Sequence, residues 1–394
     1  MPPRPGTPRL LRELNDRAAL ELLLSEGPFT RARLGEHTGL SKVTASQLLT
    51  RLQERGLVQV AGEQAGGRGP NAALYAVVPS SAYVVGLHVE SDVVRAGVAD
   101  VTGHVVSEIT VDPGNGDNPV ELVRGAVATA CRSAGVKVSQ LRAFVIGSPG
   151  VVDPTTGDPR LAVNLPDWHE GVLDALRGDL RRPVTIENDV NLAAIAERAH
   201  GAAADVADFV FIWLGVGLGL ATVLGGRLHR GFTGAAGEIG YLPVPGVPLP
   251  EDLRKPYTGS LQSLAGAAAV RELARECGFD ELSASAGVRA AVAALDAGDE
   301  NGLAFVDELA RRVTLGLAAV CAVLDPQLVV LGGGVGEAGG TPLAERVASR
   351  VARICLSNPS VVPAVVTDSP VLRGAMLTAL DRARRELLDS VGSG

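Results

Sequence analysis

The chain has 394 residues, 46% of them hydrophobic and only 3% aromatic, with a formal charge of −8. That length allows two or three domains with a large buried core. The charge is uneven: residues 1–79 hold ten Lys and Arg against seven Asp and Glu, leaving 26 against 37 for the rest, so only the basic head suits a polyanion. Cys131, Cys277, Cys321 and Cys355 lack any C-x-x-C spacing and read as buried thiols in a reducing cytosol. The start, MPPRPGTPRL, has no apolar core of the kind a signal peptide needs, so a cytoplasmic location is expected.

Apolar residues at helical spacing from Leu10 to Leu24 predict a first helix, stopped by Gly27-Pro28. Two further helical patterns flank Thr38-Gly39-Leu40-Ser41, a helix-turn-helix layout in which Thr30 and Ser41 cap the helices through their hydroxyls. In the second helix Ala45, Leu48, Leu49 and Leu52 form a core stripe. Val43 and Gln47 lie on the opposite side with Ser46 and Thr50 beside them. An outward valine suits a major groove, where it contacts a thymine methyl while Gln47 reads adenine and Lys42 a guanine or phosphate. The segment after Val58 reads as a two-stranded wing with Gly66-Gly67-Arg68-Gly69-Pro70 at its tip. Arg68 there either enters a minor groove or sits solvated on an ordinary loop. The expected DNA-contacting set is Thr30, Arg31, Ser41, Lys42, Val43, Thr44, Ser46, Gln47, Arg51 and Arg68.

Beyond a linker at Pro79-Ser80-Ser81, three short alternating strands turn near Glu90-Ser91-Asp92 and Thr102-Gly103. A helix from about Val120 to Ser133 leads to a strand at Ala143 to Ile146. A turn-rich loop then runs to Asn164-Leu165-Pro166-Asp167-Trp168. Glu187-Asn188-Asp189 ends the strand Val184 to Ile186 and opens a helix, Val190 to Ala199. An acid-amide pair at the carboxyl end of a strand can bind vicinal hydroxyls, and Asn or Asp there serves equally well as a helix cap.

The uncharged run Phe209 to Gly226 is nearly long enough to span a bilayer, but five glycines break it. It reads instead as strand, glycine turn and strand, followed by a loop carrying Gly237-Glu238-Ile239-Gly240. This repeats the strand layout of residues 83 to 111 and suggests a duplicated lobe. Helices are expected at Ala265 to Cys277, Gly287 to Leu295 and Asn301 to Leu324. A strand at Leu328 to Leu331 runs into the glycine loop 332–336, and a final helix, Gly374 to Leu388, returns to the first lobe.

The helix-turn-helix with its Gly-Arg wing, Glu187-Asn188-Asp189, the glycine hairpin and Gly237-Glu238-Ile239-Gly240 together resemble the ROK family of repressors, open reading frames and sugar kinases. The resemblance implies an α/β chain: an N-terminal winged helix-turn-helix (1–79), then a two-lobed actin/hexokinase-like, ribonuclease H-like body. Its lobes are 80–205, joined by a helix at about 370–390, and 206–369. It also implies sugar contacts through Asn164, Glu187, Asn188, Asp189, Glu238, Tyr241 and Gln262. Asn164 has the alternative role of holding an Asx-turn. In kinases of the family the residue matching Asp189 is the general base.

Departures from the family pattern matter as much. The kinase phosphate turn, Asp-x-Gly-Gly-Thr, is here His88-Val89-Glu90-Ser91-Asp92, and the hairpin Gly-Thr-Gly is Gly215-Val216-Gly217. Carboxylates in place of glycine amides repel a triphosphate. Tyr241 replaces the family histidine, the Cys-x-Cys-Gly-x-x-Gly-Cys cluster is missing, and Ser260 stands at its last position, so no structural zinc is expected. Gln262 replaces a glutamate and favours a ligand with an acceptor or anionic group. The expected function is a non-enzymatic DNA-binding regulator, usually a repressor, with no cofactor and no membrane association. It acts as a homodimer or homotetramer on a palindromic operator and senses a sugar or related metabolite. The alternatives are a regulator that answers another effector, and a sugar kinase with a regulatory head. Replacing Arg68 with Ala should weaken DNA binding and flatten its salt dependence in an anisotropy titration; unchanged affinity would remove the wing from the interface.

Overall fold

The computed structural model describes residues 8–65, 71–113, 118–160, 165, 171–250, 252 and 259–391. The head comprises α1 (Pro8–Ser25), β1 (Phe29–Thr30), α2 (Arg31–Thr38), α3 (Lys42–Glu54), β2 (Val58–Gln64) and β3 (Ala72–Val77). Both helices of the helix-turn-helix start where a hydroxyl can accept an otherwise unpaired amide: Thr30 Oγ1 accepts from Arg33 N and Ser41 Oγ from Thr44 N. Leu34 of α2 and Ala45, Leu48, Leu49 and Leu52 of α3 are buried with Leu20 and Leu23 of α1. The wing strands pair antiparallel. The two-residue β1 adds to β3, an element too short to carry any periodicity in the sequence.

The body contains two sheets with one connectivity. In the first, β4 (Tyr83–Val89), β5 (Val94–Asp100) and β6 (Val105–Val111) form an antiparallel meander. It is followed by α4 (Pro119–Ala134), β7 (Leu141–Ser148), a small ribbon of β8 (Val151–Val152) and β9 (Pro159–Arg160), α5 (Val172–Leu180), β10 (Val184–Asn188) and α6 (Asp189–His200). β7 joins β4 and β10 joins β7, both parallel, giving the order β10-β7-β4-β5-β6. The second sheet repeats this. β11 (Phe209–Leu214), β12 (Leu218–Leu224) and β13 (Arg227–His229) form the meander. Helices α7 (Gln262–Ala265), α8 (Ala267–Glu276), α9 (Ala284–Asp296) and α10 (Glu300–Leu324) then lead to β14 (Leu328–Gly332), α11 (Gly333–Ile354) and β15 (Ser360–Pro363), in the order β13-β12-β11-β14-β15. The duplication expected from hydrophobic pattern is thus carried by strand order.

Besides the two-residue strands and the single turn of α7, the elements unread in the sequence are α5, α11 and β15. The glycines after Leu331 do not form a loop, because α11 begins at Gly333. Its φ is +74°, and a Cβ there would lie 2.6 Å from the carbonyl oxygen of Leu214, so close packing on β11 accounts for this glycine. Farther on, α11 is broken at Gly340 just before Pro342, which hides its helical pattern.

The apolar core has three layers in the body. α4 and α5 cover the outer face of the first sheet, and α8 to α11 cover the outer face of the second. Between the sheets lies a shared layer built by α6 and the last helix, α12 (Pro370–Val391), with Val84 and Val145 from one sheet and Phe209 and Phe211 from the other. The Glu197 carboxylate of α6, fully buried, accepts from Ala202 N and from Val365 N and Val366 N beyond β15, at 2.7–2.8 Å. The sequence did not show that α12 continues into the head. Leu387, Leu388 and Val391 complete the head core, Arg17 pairs with Asp389, and Arg55 donates to the carbonyl of Ser390 at 2.9 Å. Among the described residues no helix is long and apolar enough to cross a membrane.

At the crossing of α6 and α12, a Cβ on Gly374 would lie 1.9 Å from the carbonyl oxygen of Leu192. Replacing Gly374 with Val should therefore separate the two helices and cost about 2–4 kcal/mol, read as a lowered denaturant midpoint. A midpoint equal to that of the parent would show that the layer can yield.

Candidate functional site

A cleft of about 640 Å³ opens where the carboxyl ends of β4, β7, β10 and β11 meet, the place open α/β sheets reserve for ligands. β10 runs straight into α6, so Asn188 and Asp189 stand at its floor. From the other lobe, Gly237 tucks against β12, with its amide carbonyl accepting from Leu220 N at 2.8 Å. A Cβ there, at φ 101°, would lie 1.8 Å from the Leu220 carbonyl oxygen. That contact delivers Glu238 to the cleft opposite Asp189.

The electrostatics of the floor are unfavourable to charge. Burial pushes the Asp189 carboxyl up to about 7, and the nearby charges of Glu238 and Glu90 push the same way, against the bond it accepts from Val190 N at 2.8 Å. Burial also raises Glu238. His88, at the end of β4, is 7% exposed and is pushed down to about 3 by burial and, secondarily, by Arg95, so its imidazole is neutral. Glu90 pairs with Arg95 at 2.6 Å, while Ser91 and Asp92 project into solvent at the rim.

Of the residues expected to contact ligand, Asn188, Asp189, Glu238, Tyr241 and Gln262 line the cleft; Asn164 lies outside the described residues. Two of the assignments change. Glu187 is buried behind the floor. It is held there by Arg230 at 2.7 Å from the other lobe and by Asn191 Nδ2 at 2.9 Å, which makes it a strut between lobes. The amide of Gln262 is committed to the glycine hairpin, with Nε2 donating to Val216 O at 2.8 Å and Oε1 accepting from Leu218 N at 3.0 Å. It therefore braces the turn between β11 and β12. Asn188 is the cap of α6, accepting from Asn191 N and donating to Gly150 O, both at 3.0 Å. The residues missed by sequence reasoning are His88 as a cleft residue, Trp213 on its wall, and Arg230. In the sequence His88 reads only as part of an altered turn, and nothing in the local sequence around Arg230 signals a partner forty-three residues earlier.

The zinc ion that the family pattern implies does not fit the residues present. Ser260, fully buried with an unpartnered hydroxyl, occupies the last cysteine position, and among the described residues no three His, Cys, Asp or Glu side chains converge.

On the head, α3 presents Lys42, Val43 and Gln47 outward, with Val43 67% exposed, and Arg31 reaches Ser46 at 3.3 Å, so α2 contributes to the same face. Ser41 and Thr44 are joined through their hydroxyls at its start. Two residues expected on this face serve the fold instead. Thr30 is buried as a cap, and Arg51 points back to α1, where both oxygens of the buried Asp16 carboxylate take its guanidinium. Arg68 lies outside the described residues.

Comparison with known proteins agrees with this division. A family model described as ROK family matches residues 84–382, and one described as MarR family matches residues 13–69. The chain is 31% identical over 281 residues to a glucokinase of Halalkalibacterium halodurans, covering 67% of this chain and 84% of that one. It is 23% identical over 382 residues to the DNA-binding transcriptional dual regulator NagC of Escherichia coli, covering 94% and 91%. In three dimensions it matches the crystal structure of a ROK family transcriptional regulator described as a homolog of the E. coli MLC protein. The TM-score is 0.73 at 19% identity, over 98% of this chain and 100% of that one, a likeness of fold.

The raised carboxyl of Asp189 makes a testable contribution to stability. Its folded value lies above the unfolded 3.8, so the folded state holds a proton that the unfolded state has released between about pH 4 and pH 7. Stability from the neutral form is complete below that window and is lost as pH rises through about 7. Replacing Asp189 with Asn removes the loss, so the stability of the variant relative to the parent should rise by about 1–3 kcal/mol from pH 5 to pH 8. A pH-independent difference would mean the carboxyl is not strained.

Proposed function

The chain belongs to the ROK family, and on that premise we propose that it is a DNA-binding transcriptional regulator, acting as a repressor, whose kinase-derived body senses a sugar or related metabolite. The observation that carries this reading is the outward face of α3: Lys42, Val43 and Gln47 stand exposed on a helix whose opposite stripe is buried, beside a wing. An exposed valine gains nothing from water, whereas in a major groove it can pack on a thymine methyl. Lys42 and Arg31 supply phosphate or guanine contacts, and Gln47 and Ser46 read base edges.

Asp189, Glu238 and Tyr241 are the sugar-facing groups, with Asn188 held in place by its cap and its bond to Gly150. They come from both lobes, so a bound hydroxylated ligand biases the angle between them. α12 lies in the layer between the sheets and ends in the head core, and such a rigid element can pass that bias to the DNA-binding surface. In a homodimer or homotetramer the spacing of two heads would then change against palindromic half-sites. A cytoplasmic location follows from the same function.

A sugar kinase is the lesser reading, despite the glucokinase relative. Asp189 retains a carboxyl where a general base would stand. The turn that would cradle phosphates instead carries Glu90 and Asp92, and no lysine or arginine is among the described residues lining the cleft. Triphosphate does not fit that lining.

The test is an anisotropy titration on the chain's upstream DNA, repeated with a panel of sugars, amino sugars and their phosphates, alongside ATP turnover. One compound should shift DNA affinity at least tenfold, about 1.4 kcal/mol of coupling. Asp189→Ala should keep the DNA affinity and lose the shift, and Gln47→Ala should cost about 1–3 kcal/mol of specific binding. Sugar-dependent ATP hydrolysis would favour the kinase instead, and DNA binding that no compound moves would withdraw sugar sensing.

A further inference from the structure

We propose that the ligand of the cleft is a hydroxylated molecule bearing an ammonium group, in class an unsubstituted amino sugar, whose cation lies in the cleft between Asp189 of one lobe and Glu238 of the other, with Glu90 in the same lining, and whose hydroxyl or ring oxygen meets His88. The inference rests on the sugar-sensing reading and names the chemistry that reading leaves open.

The first support is the charge of the lining. Glu90, Asp92, Asp189 and Glu238 face the cleft, and among the described residues lining it there is no lysine or arginine. Arg95 offsets Glu90 from along β5, and Arg230 is committed to Glu187 behind the floor. A phosphate or carboxylate entering this space would meet like charge on both lobes, and an uncharged sugar would donate hydroxyls to the carboxylates without offsetting their charge. An ammonium ion placed between them converts that repulsion into charge-assisted hydrogen bonds. A bare metal ion is a poor alternative, because no group of three or more His, Cys, Asp or Glu able to hold one occurs among the described residues.

The second support is independent of the carboxylates. The side chain of His88 lines the same cleft with only 8% of its surface exposed. No described protein group lies within hydrogen-bond distance of the imidazole, the nearest acidic oxygen being Glu90 Oε2 at 3.7 Å from Nδ1. A neutral imidazole so placed offers one donor and one acceptor to whatever occupies the cleft. A hydroxyl can answer either one. The cleft volume, about 640 Å³, suits a mono- or disaccharide, and Trp213 provides an apolar wall for a ring face.

The deciding experiment is calorimetry on the full-length chain with four probes: glucosamine, glucose, N-acetylglucosamine and glucosamine 6-phosphate. Intrinsic tryptophan fluorescence, to which Trp213 contributes, serves as a second readout, and DNA affinity is measured in the same buffers. Glucosamine should bind at least tenfold more tightly than each of the others, with an advantage that shrinks as salt is raised. Glu90→Gln should reduce the preference to within about threefold; because it releases Arg95, Asp92→Asn at the solvated rim is the companion variant, expected to lower glucosamine binding alone by about twofold. Equal or tighter binding of glucose, N-acetylglucosamine or the phosphate would overturn the inference and leave sugar sensing intact. A chain that binds none of the four at millimolar concentration, yet still binds its DNA, would overturn both.

Discussion

The apolar layer shared by α6 and α12 is the constraint on which the rest of this structure depends. Each sheet is closed on its outer face by its own helices, so neither inner face can be left to water. α12 covers β4 and β7 while α6 leans on β11 and β12, and the two helices meet at Gly374 closely enough that a side chain there would strike Leu192. Glu197 adds a polar stitch, a buried carboxylate satisfied by three backbone amides from both sides of the interface. Close packing of this kind is not continuously deformable, which suits a body that must hold discrete arrangements of two lobes.

The cleft sits at one margin of that layer and the head at the other end of α12. Its floor concentrates carboxyls whose ionisation is opposed by burial and by one another, whereas residues that look like ligands in the sequence are already committed to structure. Gln262 fixes the glycine hairpin, Asn188 caps α6, and Glu187 is locked by Arg230. Fewer side chains than expected are left to meet a ligand; of those that remain, Asp189 and Glu238, together with His88, are among the most electrostatically perturbed. Perturbed groups gathered in a cleft are the usual mark of a binding site.

Much of the fold was legible in the sequence because it is written in local rules. Hydroxyls at Thr30 and Ser41 marked helix starts, the stripe of Ala45, Leu48, Leu49 and Leu52 marked the buried side of α3, and alternation with glycine turns marked both meanders. α11 was illegible because Gly340 and Pro342 interrupt its period, and β15 because four residues carry too little pattern. In the site, Asp189 and Glu238 were found from their places at a strand end and in a glycine-framed loop. His88 was not recognised as a cleft residue, since a single polar residue at a strand end carries no periodicity.

By itself, then, the sequence determined the family, the order of head and lobes, the outward face of α3 and the two cleft carboxyls, because each depends on residues near one another in the chain. Only the tertiary structure decided that Arg51 serves Asp16, that Gln262 and Glu187 serve the scaffold, and that α12 ends inside the head. Those pairings join residues from tens to hundreds of positions apart, and a hydrogen-bond donor or apolar stripe does not reveal which distant partner will satisfy it until the chain has packed.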